Sequence, residues 1–330
     1  MRLLFGLFFI IAYSMGILQA TELDSLTKDN STLFWVIGDT RGDMKKTKIN
    51  LKMLNLLKQR ALQVKPKFIF VNGDLVSGYS DKLEKQLIHW RDAFMAPLLD
   101  AGIKVYVCRG NHDASMGWVN HKYDEALAVW NKVFSGKFAF PDNGPENEKN
   151  ISYFVKDKNI IVFVMDNYVK NRHHRVNSLW MKQVLKNVDA SKYNQRVFVV
   201  CHEPAFAAQH KDALETKKND RNAFVKRFLN NGGKYFFAGH DHFYDYSTVN
   251  TEDGIFHQFI CGTAGAPLKN WNGKYSDSKV KQINHIESNG YIEVYSSPNS
   301  CVLKYINYLP KNNQWKIADT VKSELKIIKK

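Results

Sequence analysis

The chain has 330 residues, of which 44% are hydrophobic and 13% aromatic, and its 47 basic and 32 acidic side chains give a formal charge of +15. This composition excludes a disordered, collagen-like or disulfide-framework protein, and the length is sufficient for a large buried core. The positive charge favours anionic partners such as phosphate esters, nucleic acid or acidic lipid, without choosing among them.

The first residues have the pattern of a secretory signal. Arg2 precedes an apolar run at residues 3–18, and the polar segment that starts at Thr21 follows Ala20. We predict a signal peptide at residues 1–20 with cleavage after Ala20, and hence an exported chain without a transmembrane segment after cleavage. An uncleaved N-terminal anchor is the alternative. Residues 21–32 form a polar lead-in.

In the next hundred residues, short apolar runs alternate with segments of helical periodicity. The runs predict strands at 33–37, 68–71 and 103–108, and the periodic segments predict helices at 49–62 and 83–99. This alternation indicates βαβ units in a largely parallel sheet, in which functional residues lie beyond the carboxyl ends of the strands.

The rest of the chain continues the mixed pattern. Helices are predicted at 124–134, at 179–188 with a cap near Asn177, and at 222–229, and strands at 151–155, 160–165, 197–201 and 235–238. Alternating segments after Gly254, including 290–296 and 301–308, predict antiparallel strands that finish a second sheet. There is no repeat and no linker, so we predict one domain.

The spacing of the four cysteines gives no indication of a thiolate metal site. Cys108, Cys201, Cys261 and Cys301 form no C-x-x-C pair, which argues against a zinc ribbon or a dithiol redox motif and predicts free buried thiols.

Polar residues collect at the predicted strand ends. They are Asp39, Asp74, Asn111, His112, His202, His240 and His242. Carboxylate, amide and imidazole groups together suit two adjacent divalent ions such as Mn, Fe or Zn, and not a thiolate site. A carboxylate can bridge such a pair, and the pair can lower the pKa of a trapped water so that hydroxide forms near neutral pH.

The sequence blocks that contain these residues resemble those of the calcineurin-like metallophosphoesterase family. Its motifs are Asp-x-His, Gly-Asp, Gly-Asn-His-Asp/Glu, a strand-borne histidine and Gly-His-x-His. The chain reads Gly38-Asp39-Thr40-Arg41, Gly73-Asp74, Gly110-Asn111-His112-Asp113, Val199-Val200-Cys201-His202 and Gly239-His240-Asp241-His242. The resemblance covers the predicted core at 33–268, and strands at 269–330 would complete the same domain. It implies an α/β fold, a four-layer α/β/β/α sandwich with two mixed β-sheets.

The resemblance also implies a role for each residue. Asp74 would bridge two ions; Asn111, His202 and His240 would complete one site, called the second site below, and Asp39 and His242 would belong to the first site. His112 would protonate the leaving oxygen or steady the transition state, and Asp113 would orient the ring of His112. Glu203 and Asp241, which lie beside candidate ligands, are predicted to fix histidine tautomers.

Arg41 departs from the family pattern. It stands where most members have a histidine ligand, and a guanidinium has no lone pair for a metal. The first site would keep Asp39, Asp74 and His242, completed by water or Asp43, and we expect it to be occupied but weaker. The alternative is a single-metal site in which Arg41 binds the phosphate through two hydrogen bonds.

A second comparison concerns the purple acid phosphatases, which this chain resembles in Gly-Asn-His-Asp and Gly-His-x-His. Those enzymes carry an iron-ligating tyrosine three residues after the second aspartate, and Ser77 occupies that position here. The chain therefore lacks the tyrosine ligand. Elsewhere, His173 and His174 with Arg172 and Arg175 would either reach a phosphate or be solvated.

These observations predict an exported, metal-dependent phosphoesterase. It would hydrolyse a phosphorylated small molecule, or another phosphate mono- or diester, through a metal-bridging hydroxide. The alternative is a catalytically weakened module that binds phosphate or a phosphoprotein on the same fold. A nuclease would share the metals, but the sequence shows no stacking platform or basic stripe that would demand nucleic acid.

Overall fold

The computed structural model describes residues 31–43, 48–78, 82–114, 122–187 and 196–324. The predicted signal peptide, most of the lead-in and the last six residues lie outside this part of the chain. Among the described residues, no helix combines the length and the apolar character that crossing a bilayer requires.

The strands and helices follow one another as the sequence patterns indicate. The strands are β1 (Thr32–Ile37), β2 (Phe68–Val71), β3 (Lys104–Val107), β4 (Tyr153–Asp157), β5 (Ile160–Val164), β6 (Arg196–Val200), β7 (Gly233–Ala238), β8 (Tyr244–Thr251), β9 (Gly254–Cys261), β10 (Val280–Ile286), β11 (Gly290–Ser296), β12 (Ser300–Leu309) and β13 (Gln314–Glu324). The α-helices are α1 (Leu51–Val64), α2 (Leu83–Trp90), α3 (Ala96–Asp100), α4 (Tyr123–Val133), α5 (Ser178–Asn187) and α6 (Lys218–Asn230).

The described strands form two mixed sheets. The first has the order β13-β12-β11-β1-β2-β3, and the second has the order β10-β8-β9-β7-β6-β5-β4. The neighbours β1, β2 and β3 are parallel, as are β5, β6, β7 and β9, and the remaining pairs are antiparallel. The fold is thus the α/β sandwich of two mixed sheets that the family resemblance implied.

Aromatic side chains fill the space between the sheets. The ring of Phe34 on β1 lies 5.5 Å from that of Phe70 in its own sheet and 5.2 Å from that of Phe198 in the other sheet, both in edge contacts. All three side chains are fully buried. Each contributes about 1.5–3 kcal/mol by leaving water, which holds the two sheets in a fixed relation.

Helices cover the outer faces. Met181 and Leu185 of α5 and Phe224 and Phe228 of α6 are buried in one cluster with the second sheet. Helices α1 to α4 contribute Met53, Leu57, Trp90, Leu98 and Trp130 to the cluster that contains the first sheet. The apolar positions that recur at helical spacing in the sequence are therefore the ones that the sheets cover.

Most predicted elements are confirmed, and three details differ. The predicted helix at 83–99 is interrupted by a π-helical turn at Arg91–Met95. Strand β8 was not predicted. Strands β11 to β13 join the first sheet beside β1, and not the second sheet as predicted, since β11 pairs antiparallel with β1. Hydrogen-bond pairing between distant segments decides this, and periodicity carries no information about it. The cap at Asn177 is confirmed, because its Oδ1 accepts from the amide of Trp180 at 3.2 Å.

Candidate metal centre

The loops after the parallel strands are tied to one another at the carboxyl edge of the two sheets. The amide of Asp39, after β1, donates to the carbonyl of Gly73, after β2, at 3.0 Å. The amide of Gly239, after β7, donates to the carbonyl of His202, after β6, at 2.9 Å. The amide of His240, after β7, donates to Oδ2 of Asp39, after β1, at 2.9 Å. This bond joins the loops of the two sheets, so their side chains converge there.

Asp39, Asp74 and His202 form the centre of this edge. One ligand atom of each lies within 4.8 Å of the other two, and all three residues are buried. The two oxygens of Asp74 face different neighbours. Oδ1 lies 3.5 Å from Nε2 of His202, and Oδ2 lies 3.2 Å from Nε of Arg41. Asp74 therefore stands between the two sites, as expected of a bridging carboxylate.

The second site presents a donor set that suits a divalent ion. Nε2 of His202 lies 3.1 Å from Oδ1 of Asn111 and 3.2 Å from Nδ1 of His240. Nδ1 of His202 lies 2.8 Å from the carbonyl oxygen of Asn72. A carbonyl oxygen only accepts, so Nδ1 carries the proton and the lone pair of Nε2 points toward Asn111 and His240. With Asp74, these groups fit a metal that takes oxygen and nitrogen ligands.

The first site has a different arrangement. Nδ1 of His242 lies 2.9 Å from the carbonyl oxygen of Pro267, and its Nε2 lies 3.5 Å from Oδ1 of Asp39. This Oδ1 is a buried carboxylate oxygen without a hydrogen-bond partner. Nη2 of Arg41 lies 3.3 Å from the same Nε2 of His242. The guanidinium thus spans Asp74 and His242.

Backbone strain coincides with the ligand residues. Asp39, Asp74 and His240 have φ angles of 56°, 52° and 70°, in the left-handed region that non-glycine residues seldom adopt. Such strain concentrates at functional sites, where the surrounding structure holds it. The neighbouring glycines are needed for close approach, because a Cβ on Gly73 would lie 2.6 Å from Nδ1 of His202 and one on Gly110 would lie 2.1 Å from Oδ1 of Asp74.

Charges around Asp74 keep it ionised. Burial alone would raise its pKa, but Coulomb interactions with His112, with His202 and with the guanidinium of Arg41 outweigh burial and hold the pKa of Asp74 well below its usual range. A buried carboxylate that stays ionised attracts a cation strongly.

The structure corrects the predicted partner of His112. Nδ1 of His112 lies 2.6 Å from the carbonyl oxygen of Ser77, whereas the carboxylate of Asp113 accepts from the backbone amides of Leu75, Val76 and Gly110. Ser77 therefore orients the ring, and Asp113 fixes the loops on either side of it. The family resemblance implied the pair, but the two side chains have different partners. Burial lowers the pKa of His112 to about 4, against the opposing charge of Asp74.

Two residues near the second site were missed by sequence reasoning. Nδ1 of His210 lies 2.6 Å from Oδ1 of Asp241, and its ring centroid lies 4.6 Å from that of His240. Oδ1 of Asp212 lies 3.2 Å from Nε2 of His240. Both follow His202 by ten residues or fewer in a segment without helical or alternating periodicity. A dense polar loop after a ligand strand was the only available signal.

The tautomer-fixing roles predicted for Glu203 and Asp241 are reassigned. Asp241 pairs with His210, and Oε1 of Glu203 lies 2.8 Å from Nδ1 of His174, so neither carboxylate binds a predicted ligand through that contact. Carbonyl oxygens hold His202 and His242 instead, and Asp212 holds His240.

The arginines of the basic segment around His174 contact carboxylates, which leaves them less available to a phosphate. Arg172 lies 2.8 Å from Glu148, and Arg175 lies 2.7 Å from Asp220. Both guanidinium groups are engaged in ion pairs, which weakens the predicted phosphate contact at this segment.

A groove of about 550 Å³ borders the first site. It is lined by Asp43, Ile49, Asn50, Leu51, Lys52, Gly265, Ala266, Pro267, Leu268 and Asn289. Its wall includes Pro267, whose carbonyl oxygen holds His242. Asp43, which was considered as a replacement ligand, lies on this groove.

The cysteines and Ser77 agree with the sequence analysis. All four cysteines are free and buried. The hydroxyl of Ser77 donates to the carbonyl of Lys48 at 3.2 Å and does not supply the phenolate of a tyrosine ligand.

Comparison with known proteins identifies the architecture. Residues 32–244 match the family model described as calcineurin-like phosphoesterase. No curated protein sequence matches the chain.

Among solved structures, the chain is similar to a purple acid phosphatase from yellow lupin seeds (13% identity, TM-score 0.65), over 89% of this chain and 54% of the lupin enzyme. It thus spans about half the length of that enzyme. It is also similar to GAP50, the anchor in the inner membrane complex of Plasmodium, at 16% identity and a TM-score of 0.56, over 90% of this chain and 89% of that one. A dimetal phosphatase from Danio rerio shares 13% identity and a TM-score of 0.54, over 88% and 98% of the two chains. At these identities the likeness shows the fold alone.

Proposed function

Since this chain belongs to the calcineurin-like phosphoesterase family, we propose that it is a metal-dependent hydrolase of phosphate mono- or diesters. The observation that supports this most directly is the second site, where Asp74, Asn111, His202 and His240 converge from both sheets. Their donor atoms suit a divalent ion such as Mn, Fe or Zn.

An ion held by those residues would act as a Lewis acid toward the phosphoryl oxygens and would lower the pKa of a water toward neutral pH. The chain itself prepares the ligands. The carbonyl of Asn72 keeps the proton of His202 on Nδ1, and the positive neighbours of Asp74 keep that carboxylate ionised. Ligands that are fixed before an ester binds favour electrostatic catalysis, because they need not reorganise during the reaction.

We assign proton transfer to His112. Ser77 holds its Nδ1, so Nε2, which lies 3.7 Å from Oδ2 of Asp74, is the nitrogen that exchanges a proton with the substrate. The negative charge of a bound phosphate would raise the pKa of this ring again. His112 would then carry the proton that the leaving oxygen needs.

The surface charge supports an anionic substrate. A formal charge of +15 raises the local concentration of phosphate esters. The groove beside Pro267, which contains Leu51 and Leu268 as well as Asn50, offers both apolar and amide contacts to the organic part of the ester.

The test is hydrolysis by the purified chain. We would measure turnover of 4-nitrophenyl phosphate and of bis(4-nitrophenyl) phosphate after chelation and after addition of Mn²⁺, Fe²⁺ or Zn²⁺. Metal-dependent turnover that chelation removes supports the proposal, and the ratio of the two rates assigns the ester class. No turnover of either ester with any ion would overturn it.

A phosphate-binding module on the same fold is the second candidate, and the contact of Arg41 with Asp74 and His242 favours it. That module would bind inorganic phosphate or a phosphopeptide without turnover. Restoring the family histidine with Arg41→His would then create activity from almost none. A wild-type chain that already turns over esters contradicts this candidate.

Export is a further part of the proposal and is supported by the pattern of residues 1–20. Expression of the full sequence with fractionation and N-terminal sequencing tests it. A mature chain that begins at Thr21 outside the cytoplasm agrees with the proposal, whereas a membrane-bound chain that retains residues 1–20 indicates the uncleaved anchor.

A further inference from the structure

We propose that this chain binds one divalent ion, because the guanidinium of Arg41 takes the place that a second ion would occupy in the first site. This inference rests on the proposed function, since it concerns the same metal centre. It departs from the sequence expectation of two ions with a weaker first one.

The position of the guanidinium is the first step. Its Nε lies 3.2 Å from Oδ2 of Asp74, and its Nη2 lies 3.3 Å from Nε2 of His242. These two ligand atoms are the ones an ion in the first site would have to share with Asp39. The planar group therefore connects the bridging carboxylate to the histidine, as a metal would.

The protonation of His242 is the second step. Its Nδ1 lies 2.9 Å from the carbonyl oxygen of Pro267, which can only accept, so Nδ1 carries the proton and Nε2 carries the lone pair. An arginine N–H only donates. The hydrogen bond from Nη2 of Arg41 consequently uses the lone pair that would otherwise bind a metal.

The anchoring of Arg41 is the third step. Its amide donates to the carbonyl of Asp74 at 3.0 Å, and its backbone forms an isolated bridge with Ile49. Nη1 also donates to the carbonyl of Gly42 at 3.3 Å, and only 9% of the residue is exposed. Backbone and side chain both hold the guanidinium in place.

The charge balance is the fourth step. Arg41 cannot lose its proton in a protein, so a second ion would place two divalent charges beside a fixed positive group. Asp39 and Asp74 supply two negative charges at this point. The positive charge of one divalent ion and Arg41 exceeds the negative charge of the two carboxylates slightly. Two ions and Arg41 would leave a large uncompensated positive charge in a buried site.

The remaining acceptor is Oδ1 of Asp39, which is buried without a hydrogen-bond partner. Since a ligand atom of Asp39 lies within 4.8 Å of ligand atoms of both Asp74 and His202, an ion bound by these two is also within reach of Asp39. A single ion can therefore also contact the carboxylate of Asp39.

The experiment counts ions. The purified wild-type chain, Arg41→His and the control Arg175→His would be loaded with Mn²⁺, freed of excess metal and analysed for manganese per chain. Arg175 lies far from these ligands in sequence and forms a surface pair with Asp220, so its substitution makes the same charge change away from the centre. Electron paramagnetic resonance distinguishes isolated Mn²⁺ from an exchange-coupled pair.

We expect one ion per chain with an isolated-ion spectrum for the wild type and the control, and two ions with a coupled spectrum for Arg41→His. Two ions in the wild type, or none, would overturn the inference. Should Arg41→His not fold, Arg41→Gln removes the charge, and the wild-type count decides the matter in any case. Failure is distinguishable from failure of the proposed function, because two ions with active turnover refute only the inference, and one ion without turnover refutes only the function.

Discussion

The first and second sites share Asp74 and the same edge of the sandwich, yet they offer a cation different surroundings. At the second site, Nε2 of His202 lies 3.1 Å from Oδ1 of Asn111 and 3.2 Å from Nδ1 of His240. At the first site, Arg41 lies between Asp74 and His242 at 3.2 and 3.3 Å. Both sites have histidines whose tautomers are fixed by carbonyl oxygens, so the ligands alone do not distinguish them.

The two sites differ in one residue, Arg41, whose guanidinium contacts candidate ligand atoms at the first site. The loops, the left-handed backbone at Asp39 and Asp74, and the glycines that allow close approach are present at both sites. A guanidinium supplies a positive charge and donors but no lone pair, so it contacts Asp74 and His242 directly and leaves Oδ1 of Asp39 to another group. Four experiments would break or sharpen this comparison.

Loss of the shared carboxylate should have the largest effect. Asp74→Asn keeps the size of the side chain but removes the charge that both sites use. Because a Lewis acid contributes several kcal/mol to the barrier, we expect kcat/KM for 4-nitrophenyl phosphate to fall by more than about 10³-fold. Steady-state kinetics at saturating Mn²⁺ measure it.

The exposed Asp142→Asn is the matched control and should leave the rate unchanged. A loss below tenfold in Asp74→Asn would mean that the shared carboxylate is not central to the reaction.

The buried ion pair of Arg109 and Asp166 should contribute strongly to the free energy of unfolding. Arg109, next to Gly110 and Asn111, binds Asp166 through Nε at 2.7 Å and Nη2 at 3.0 Å, and both side chains are fully buried. Arg109→Met leaves a buried carboxylate unpaired, so the free energy of unfolding should fall by about 3–5 kcal/mol in urea titrations.

The control Arg175→Met breaks an exposed pair and should cost less than about 1 kcal/mol. Equal losses in the two variants would show that burial does not set the value of the Arg109 pair.

Asp245 is a buried carboxylate whose pKa is shifted in the opposite direction to that of Asp74, so it should change the stability with pH in the opposite sense. Burial raises the pKa of Asp245 to about 6, although the hydroxyl of Tyr275, Gln282 and His285 oppose the shift. The folded chain therefore holds a proton that the unfolded chain releases between about pH 4 and pH 6. Stability should fall as pH rises through this window, by up to about 3 kcal/mol at 1.36 kcal/mol per pKa unit.

Asp245→Asn should remove this slope, whereas Asp253→Asn, at a half-buried carboxylate in a turn, should keep it. Urea unfolding of the metal-free chain at several pH values provides the measurement. An unchanged slope in Asp245→Asn would assign the titration to another group.

The smallest effect should come from Asp212, which contacts the candidate ligand His240 on the side away from the second site. Oδ1 of Asp212 lies 3.2 Å from Nε2 of His240, and Nδ1 of the same ring faces His202 of the second site at 3.2 Å. Asp212→Asn should weaken Mn²⁺ binding by about 10–100-fold, since such partners orient the ring and raise its basicity. Calorimetric titration measures it against Asp220→Asn, and equal affinities in the two variants would remove Asp212 from the centre.

Much of this clustering could be predicted because each candidate ligand lies within four residues after an apolar strand. Asp39, Asp74 and His202 occupy such positions, and parallel strands end at one edge of a sheet, so their convergence follows from the pattern. His210 and Asp212 could not be predicted in the same way, since a loop without periodicity gives no indication of where its side chains point. The true partner of His112 was also hidden, because a backbone carbonyl leaves no mark on the sequence.

The sequence by itself determined the alternation of strands and helices, the ligand types and the presence of an arginine in place of a histidine. Local periodicity and residue chemistry suffice for these. Only the tertiary structure decided that β11 to β13 close the first sheet and that Arg41 turns toward Asp74 and His242. Both depend on contacts between segments far apart in the chain, where several arrangements satisfy the same local pattern and packing with hydrogen bonding selects one.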